Sequence, residues 1–221
     1  MKKTTRLPGF LYLGIIIFGI IAQIIRTNIL VFGENIDVFE KINSSLFTLK
    51  IGFISDLIMM VFYLLTAWTL FNILKHVNKD QSLLFLICSI ISVAILGSNM
   101  INIIAIIEIN NANYINIGDN FIGFSQFLSK LHNYGYLISQ VFFGLWLLPL
   151  GLIILKSKIL PKYFGIMLIA ATFGHFIEII SVFLFSGNEY FTYPGLIISM
   201  VGEFSFCFWL IFKGINIENR N

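Results

Sequence analysis

The sequence predicts an all-α integral membrane protein, a bundle of about six transmembrane helices with N-terminus and C-terminus both cytoplasmic. Three observations carry this. Only 11% of the 221 residues are charged, against roughly a quarter in a soluble domain. Apolar residues make up 58% and the mean hydropathy is +0.92, more apolar surface than a soluble fold of this length could hide. The apolar residues also fall into separate runs of about 20 or more, the length at which a helix crosses the hydrocarbon core.

The first run, about 7–26, follows Lys2, Lys3 and Arg6. Such a start resembles a signal peptide, but the run is too long for an h-region and no small-x-small cleavage site follows, so a retained first helix is expected. The second run, about 51–74, stops at Lys75, and the third is about 82–107. The fourth, about 131–155, is separated from the fifth, about 163–185, by Lys156, Lys158 and Lys162. The sixth, about 194–213, ends at Lys213. A single membrane domain over 1–221 is expected. Ten of the 14 Lys and Arg fall on the side of the N-terminus, while Arg26, Lys41, Lys50 and Lys130 fall on the other. Because cytoplasmic loops carry the excess of basic residues, that asymmetry sets the orientation.

The two longer loops lie outside. In 27–50, Phe39, Ile42, Leu46 and Leu49 recur at helical spacing, which predicts an amphipathic helix on the outer interface. In 108–130, Phe121, Phe124, Phe127 and Leu128 predict a segment on or dipping into the interface, with a plain surface loop as the alternative. The net charge of +3 is too small to point to nucleic acid, and the expected partner is the lipid bilayer. Cys88 and Cys207 sit inside apolar runs without a ligand-spaced partner, so they read as packing residues and not as a thiolate metal site. Lys outnumbers Arg, and Ile, Asn and Phe abound; this composition suits an AT-rich bacterial genome and a bacterial cytoplasmic (inner) membrane location.

Ionisable groups inside a bilayer are costly and mark function. The helices contain Asp56, Asn99, Asn102, His132, Gln140, His175, Glu178 and Glu203. At about 1.5 Å per residue, Asp56, Asn102 and Glu178 lie roughly 8–10 Å below the outer boundary, Glu203 about 13 Å, His175 about 15 Å and His132 about 3 Å. On the helical period each of five helices keeps its polar groups on one stripe: Gly52, Asp56 and Tyr63; Cys88, Ser92, Asn99 and Asn102; His132, Tyr136, Ser139 and Phe143; Gly174, Glu178 and Ser181 with His175 beside them; Ser199, Gly202, Glu203 and Phe206. Stripes at one depth imply one polar chamber, open to the outside, holding three carboxylates. With no Lys or Arg expected at that depth, protons, a bound cation or a cationic small ligand must balance the charge. The alternative for each residue is a hydrogen-bonded clasp between helices, which is the favoured reading for Asn99 taken alone.

A divalent cation is the conceivable cofactor, held by Asp56, His132, Glu178 and Glu203 as nitrogen and oxygen ligands. His175 and Glu178 share a helix face, but no H-E-x-x-H, G-x-S-x-G or P-loop occurs, so the metal signal is weak.

The run Leu131-His132-Asn133-Tyr134-Gly135-Tyr136-Leu137-Ile138 is distinctive, as are Val141 to Leu145, Leu148-Pro149-Leu150-Gly151, and Lys156 to Gly165. With Asp56 and Gly202-Glu203 they make the chain, from Arg6 to Gly214, resemble a bacterial membrane family known as domain of unknown function 4386. The resemblance implies a polytopic inner-membrane protein with no assigned activity. It also implies that Asp56, His132, Glu178 and Glu203 belong to the family pattern, whereas an aromatic is more usual at His175.

Three functions compete. The first is binding or transport of a proton, cation or cationic ligand, for which a homodimer would help because six helices are few for a monomeric carrier. The second is an intramembrane metal-dependent hydrolase or lipid-modifying enzyme, with His132 as base or ligand. The third is a non-catalytic assembly or stress-response module.

Overall fold

A computed structural model describes residues 4–30, 42–111, 121–157, 159–185 and 189–216. The described residues are almost entirely helical: α1 (Leu7–Ile29), α2 (Leu46–Leu74), α3 (Lys79–Asn99), α4 (Ile101–Asn111), α5 (Phe121–Leu145), α6 (Leu147–Lys156), α7 (Lys162–Leu184) and α8 (Glu189–Phe212). Six spans among them are long and apolar enough to cross a membrane, with α3–α4 and α5–α6 each forming one span. The outer surface is coated with Ile, Leu, Phe and Trp, such as Trp68, Ile166, Phe173 and Ile197, each more than half exposed. Lipid, not water, is the solvent such a surface requires.

Each span packs on the next, α1 on α2, α2 on α3, α3 on α5 and α6, these on α7, and α7 on α8; α8 then returns to α1 and closes a ring. The chain ends meet there, where Thr4–Thr5 (β1) pairs antiparallel with Ile215–Asn216 (β2). Gly214 makes the turn into β2 at φ 68°, a conformation that glycine adopts without steric cost.

Two spans are broken, each for a local reason. Pro149 has no N–H to donate to the carbonyl of Leu145, and its ring crowds that carbonyl, so α5 ends and α6 begins around Trp146. Trp146 is fully buried, with ring centroids 5.2 Å from Tyr63, 5.9 Å from Tyr12 and 6.3 Å from Phe85, all edge-on. The third span breaks at Asn99–Met100, where the Asn102 side chain donates to the Asn99 carbonyl at 3.1 Å. A side chain thereby satisfies a backbone group released in the bilayer interior. The crossing of α7 and α8 depends on two glycines. A Cβ on Gly174 would stand 2.5 Å from the Gly195 carbonyl oxygen, and one on Gly195 the same distance from the Gly174 oxygen. Small residues at such a crossing let the backbones touch.

Of the expected interfacial helix, the described residues 42–44 are helical and a turn at Ser45 separates them from α2. Thr27–Ile29 belong to α1, Leu46 and Leu49 open α2, and Ile42 and Leu49 are fully buried; Phe39 lies outside the described residues. Likewise Phe121, Phe124, Phe127 and Leu128 begin α5 and run unbroken into the fourth span. Phe124 and Phe127 are exposed and Leu128 is buried, so the spacing of those residues signals an extension of the spanning helix.

Candidate functional site: a buried acid pair in the bundle centre

The ring of spans encloses a cavity of about 410 Å³, within the usual range for small-molecule sites. All six spans contribute to its wall. Among the charged side chains it presents Glu178 and Glu203, together with His175, and the described lining contains no Lys or Arg. Glu203, on α8, accepts a hydrogen bond from the Tyr12 hydroxyl of α1 at 2.6 Å, and its other oxygen lies 2.8 Å from His175 Nε2 of α7. Gln140, on α5, extends the chain of bonds: its Nε2 is 3.2 Å from His175 Nδ1 and donates to Glu178 Oε2 at 2.6 Å.

The pattern specifies a tautomer. Gln140 Nε2 has only hydrogens to offer, so Nδ1 of His175 accepts and the ring proton sits on Nε2, donated to Glu203. In this arrangement the cavity holds two carboxylates beside a neutral imidazole. Helix packing holds these groups in place. A Cβ on Gly144 would lie 2.7 Å from the His175 Cβ, so α5 passes against α7 with no side chain between, and the Phe143 ring meets the imidazole edge-on at 5.4 Å.

Asp56 stands apart from this cavity. The Arg26 guanidinium of α1 forms an ion pair with Asp56 Oδ2, donates to Gln23 Oε1 at 2.9 Å and lies over the Tyr136 ring at 5.5 Å. Both partners are buried, Arg26 at 8% and Asp56 at 1% exposure. Asn99 and His132 form a third group: Asn99 Nδ2 donates to the His132 carbonyl at 2.8 Å and lies 3.2 Å from His132 Nδ1, while Asn102 donates to Asn99 Oδ1 at 2.9 Å. Gly135 lies against the Asn99 amide, leaving no room there for a side chain.

The geometry therefore corrects two expectations. A cation does lie among the acids, because α1 continues to Ile29, past the expected end at residue 26, and carries Arg26 into the bundle. The single chamber of three carboxylates becomes a two-carboxylate cavity and a neighbouring ion pair. The four-residue set Asp56, His132, Glu178 and Glu203 is not assembled, and among the described residues no group of three or more His, Cys, Asp or Glu side chains converges as a metal site requires. His175, the residue that departs from the expected pattern, instead joins Glu203 to Gln140. Sequence reasoning also missed Tyr12. The signal was present, since Tyr12, Gly19, Gln23 and Arg26 lie on one helical stripe of the first span, a sixth polar or small-residue face.

The family described as a domain of unknown function, DUF4386, matches residues 7–214. The chain belongs to that family. Its matched region takes in every spanning helix and all the residues of the cavity. An uncharacterised protein of Archaeoglobus fulgidus is 34% identical over 96 residues, 41% of this chain and 56% of that protein. The alignment thus spans little more than half of the relative's length. No solved structure matches this DUF4386 chain.

Proposed function

We propose that this protein binds, and exchanges for protons, a small cationic ligand in the cavity between Glu178 and Glu203. One observation carries the reading: Glu178 and Glu203 share a buried cavity with the His175 imidazole, and among the described residues no Lys or Arg lines it. Buried charge persists only when compensated. A ligand cation is one source of compensation and protons are the other. Gln140 provides for both. Turned over, its amide presents Oε1 where Nε2 now stands and accepts from a protonated Glu178 and from Nδ1–H of an imidazolium. That state carries no net charge among Glu178, His175 and Glu203, against two negative charges in the arrangement described. Two protons, or one proton and one monovalent cation, then balance the same site, so one proton exchanges for one cation.

In this reading the chain ends face the cytoplasm and the Arg26–Asp56 end faces outward, in a cytoplasmic membrane. With Arg26 buried in the bundle, the outward side retains Lys41, Lys50 and Lys130 of the basic residues, which sharpens the positive-inside asymmetry. A cysteine at exposed Glu108 should react with an impermeant thiol reagent added outside, and one at exposed Asp80 should not; the reverse labelling would invert the assignment. Ligand binding is tested by Glu203→Gln, which keeps the shape and removes the charge. Purified protein should show cation-dependent thermal stabilisation, as expected when a ligand binds the native state, and the variant should lose it. Equal stabilisation of both proteins would place the cation elsewhere.

A further inference from the structure

We infer that the ligand is an amphiphilic amine, with an ammonium N–H head and a single apolar chain, and that it reaches the cavity sideways from the lipid between α1 and α8. The inference rests on the cationic reading of the cavity and adds the ligand's class and route. Three observations support it.

The first is where the wall is thin. The contacts that bind α1 to α8 lie toward the chain ends: a Cβ on Gly9 would be 2.6 Å from Ile211 N, Cys207 Sγ lies 3.6 Å from the Gly9 carbonyl, and the Tyr12 and Phe206 rings are 6.2 Å apart. Farther along, the cavity is walled by Ile16, Gly19 and Ile20 of α1 and by Leu196, Met200 and Phe204 of α8. Ile20 and Met200 line the cavity and are 46% and 45% exposed. Both lie near the middle of their spans, so the seam gives onto hydrocarbon. A Cβ on Gly19 would meet only Met59 of α2, at 3.6 Å, within 4 Å, so the cavity is roomy at that level.

The second is the mouth's chemistry. Ile, Leu, Met, Phe and Gly offer nothing to a hydrated ion, whereas an alkyl chain passes them with no loss of hydration. The third is at the inner end. Gln140, 8% exposed, lines the cavity with Oε1 unpartnered. A buried acceptor without a donor is costly. An ammonium N–H supplies the donor to Gln140 while its charge is balanced by Glu203 and Glu178. A quaternary ammonium has no N–H to give, and a neutral alcohol brings no charge.

The test uses the full chain in phosphatidylcholine nanodiscs, with thermal stabilisation as readout and ethylamine, octylamine, octyltrimethylammonium and octanol as probes. Octylamine should stabilise the protein at an aqueous concentration at least about tenfold below ethylamine, since each buried methylene strengthens binding roughly threefold or more. Octyltrimethylammonium and octanol should have little effect, and Glu203→Gln should abolish the octylamine response. Ile20→Trp and Gly19→Leu, which fill the cavity wall where the alkyl chain would lie, should each weaken the octylamine response more than that to ethylamine. Octanol matching octylamine, octylamine no better than ethylamine, or octylamine responses intact in both wall variants would overturn the amphiphile and its lateral route. A retained ethylamine response would then leave the cationic cavity standing, whereas no response to either amine would remove that reading too.

Discussion

Two buried carboxylates, Asp56 and Glu203, lie on inward stripes of α2 and α8, the two helices that flank α1, at 1% and 9% exposure, yet their surroundings differ in kind. Asp56 has a guanidinium against it, itself held by Gln23 and covered by Tyr136. Glu203 has a phenol, an imidazole and a cavity. The first acid has its charge balanced within the protein and needs nothing from outside. The second is left with donors but no counter-charge. A buried acid is thus a poor guide to function until its partner is known, and the partner can come from a helix that shows no acid of its own.

The comparison breaks most visibly at Arg26. Arg26→Met leaves Asp56 buried and uncompensated and should cost about 3–5 kcal/mol, read as a large fall in the thermal midpoint in detergent. Adding Asp56→Leu should recover most of that loss while leaving the ligand response in place. If instead Arg26→Met abolishes ligand-dependent stabilisation while barely affecting the apo protein, the pair belongs to the site and the distinction fails. Gly144→Ala should cost about 1–3 kcal/mol through overpacking against His175 and should weaken ligand stabilisation as well. No such second effect is expected of Gly174→Ala at the Gly195 crossing.

Glu203→Gln should cost the fold less, about 1–2 kcal/mol, since a neutral amide can still bond Tyr12 and His175. Its coupling is more informative than its size. Paired with Glu178→Gln it should be clearly non-additive, because Gln140 and His175 link the two acids, whereas paired with Asp56→Asn it should be close to additive. Equal coupling in both pairs would merge the clusters into one network. The smallest effect is expected at Asn102→Ala, about 1 kcal/mol for the lost bonds to Asn99 within the third span, with no change in ligand response.

Much of this architecture was legible in the residues. Hydropathy marks the spans because the bilayer forces every backbone group into helical bonds, and the 3.6 period turns Asp56, Ser92, Asn99, His132, Ser139, Ser199 and Glu203 inward, where the structure places them. What was not legible depends on a few residues at helix ends. Hydropathy falls at Arg26 whether the helix stops there or continues, so an arginine buried by its partner reads as a boundary. Helical continuity through Leu46–Lys50 and Phe121–Lys130 was hidden for the same reason, since polar residues late or early in a helix look like loop. The division of the acids into two clusters depends on which stripes face each other around the ring, and one chain's periodicity does not carry that information.

The Tyr12–Glu203 bond joins residues 191 positions apart, and the helices that carry them are the first and last of the six spans among the described residues. Until α8 is inserted, Tyr12 has no carboxylate, the ring has a gap where its lipid-facing seam will form, and β1 has no strand to pair with. A chain released just short of α8 would have the Arg26–Asp56 half of the bundle assembled and an open trough in place of the cavity. The site therefore closes only when α8 packs against α1.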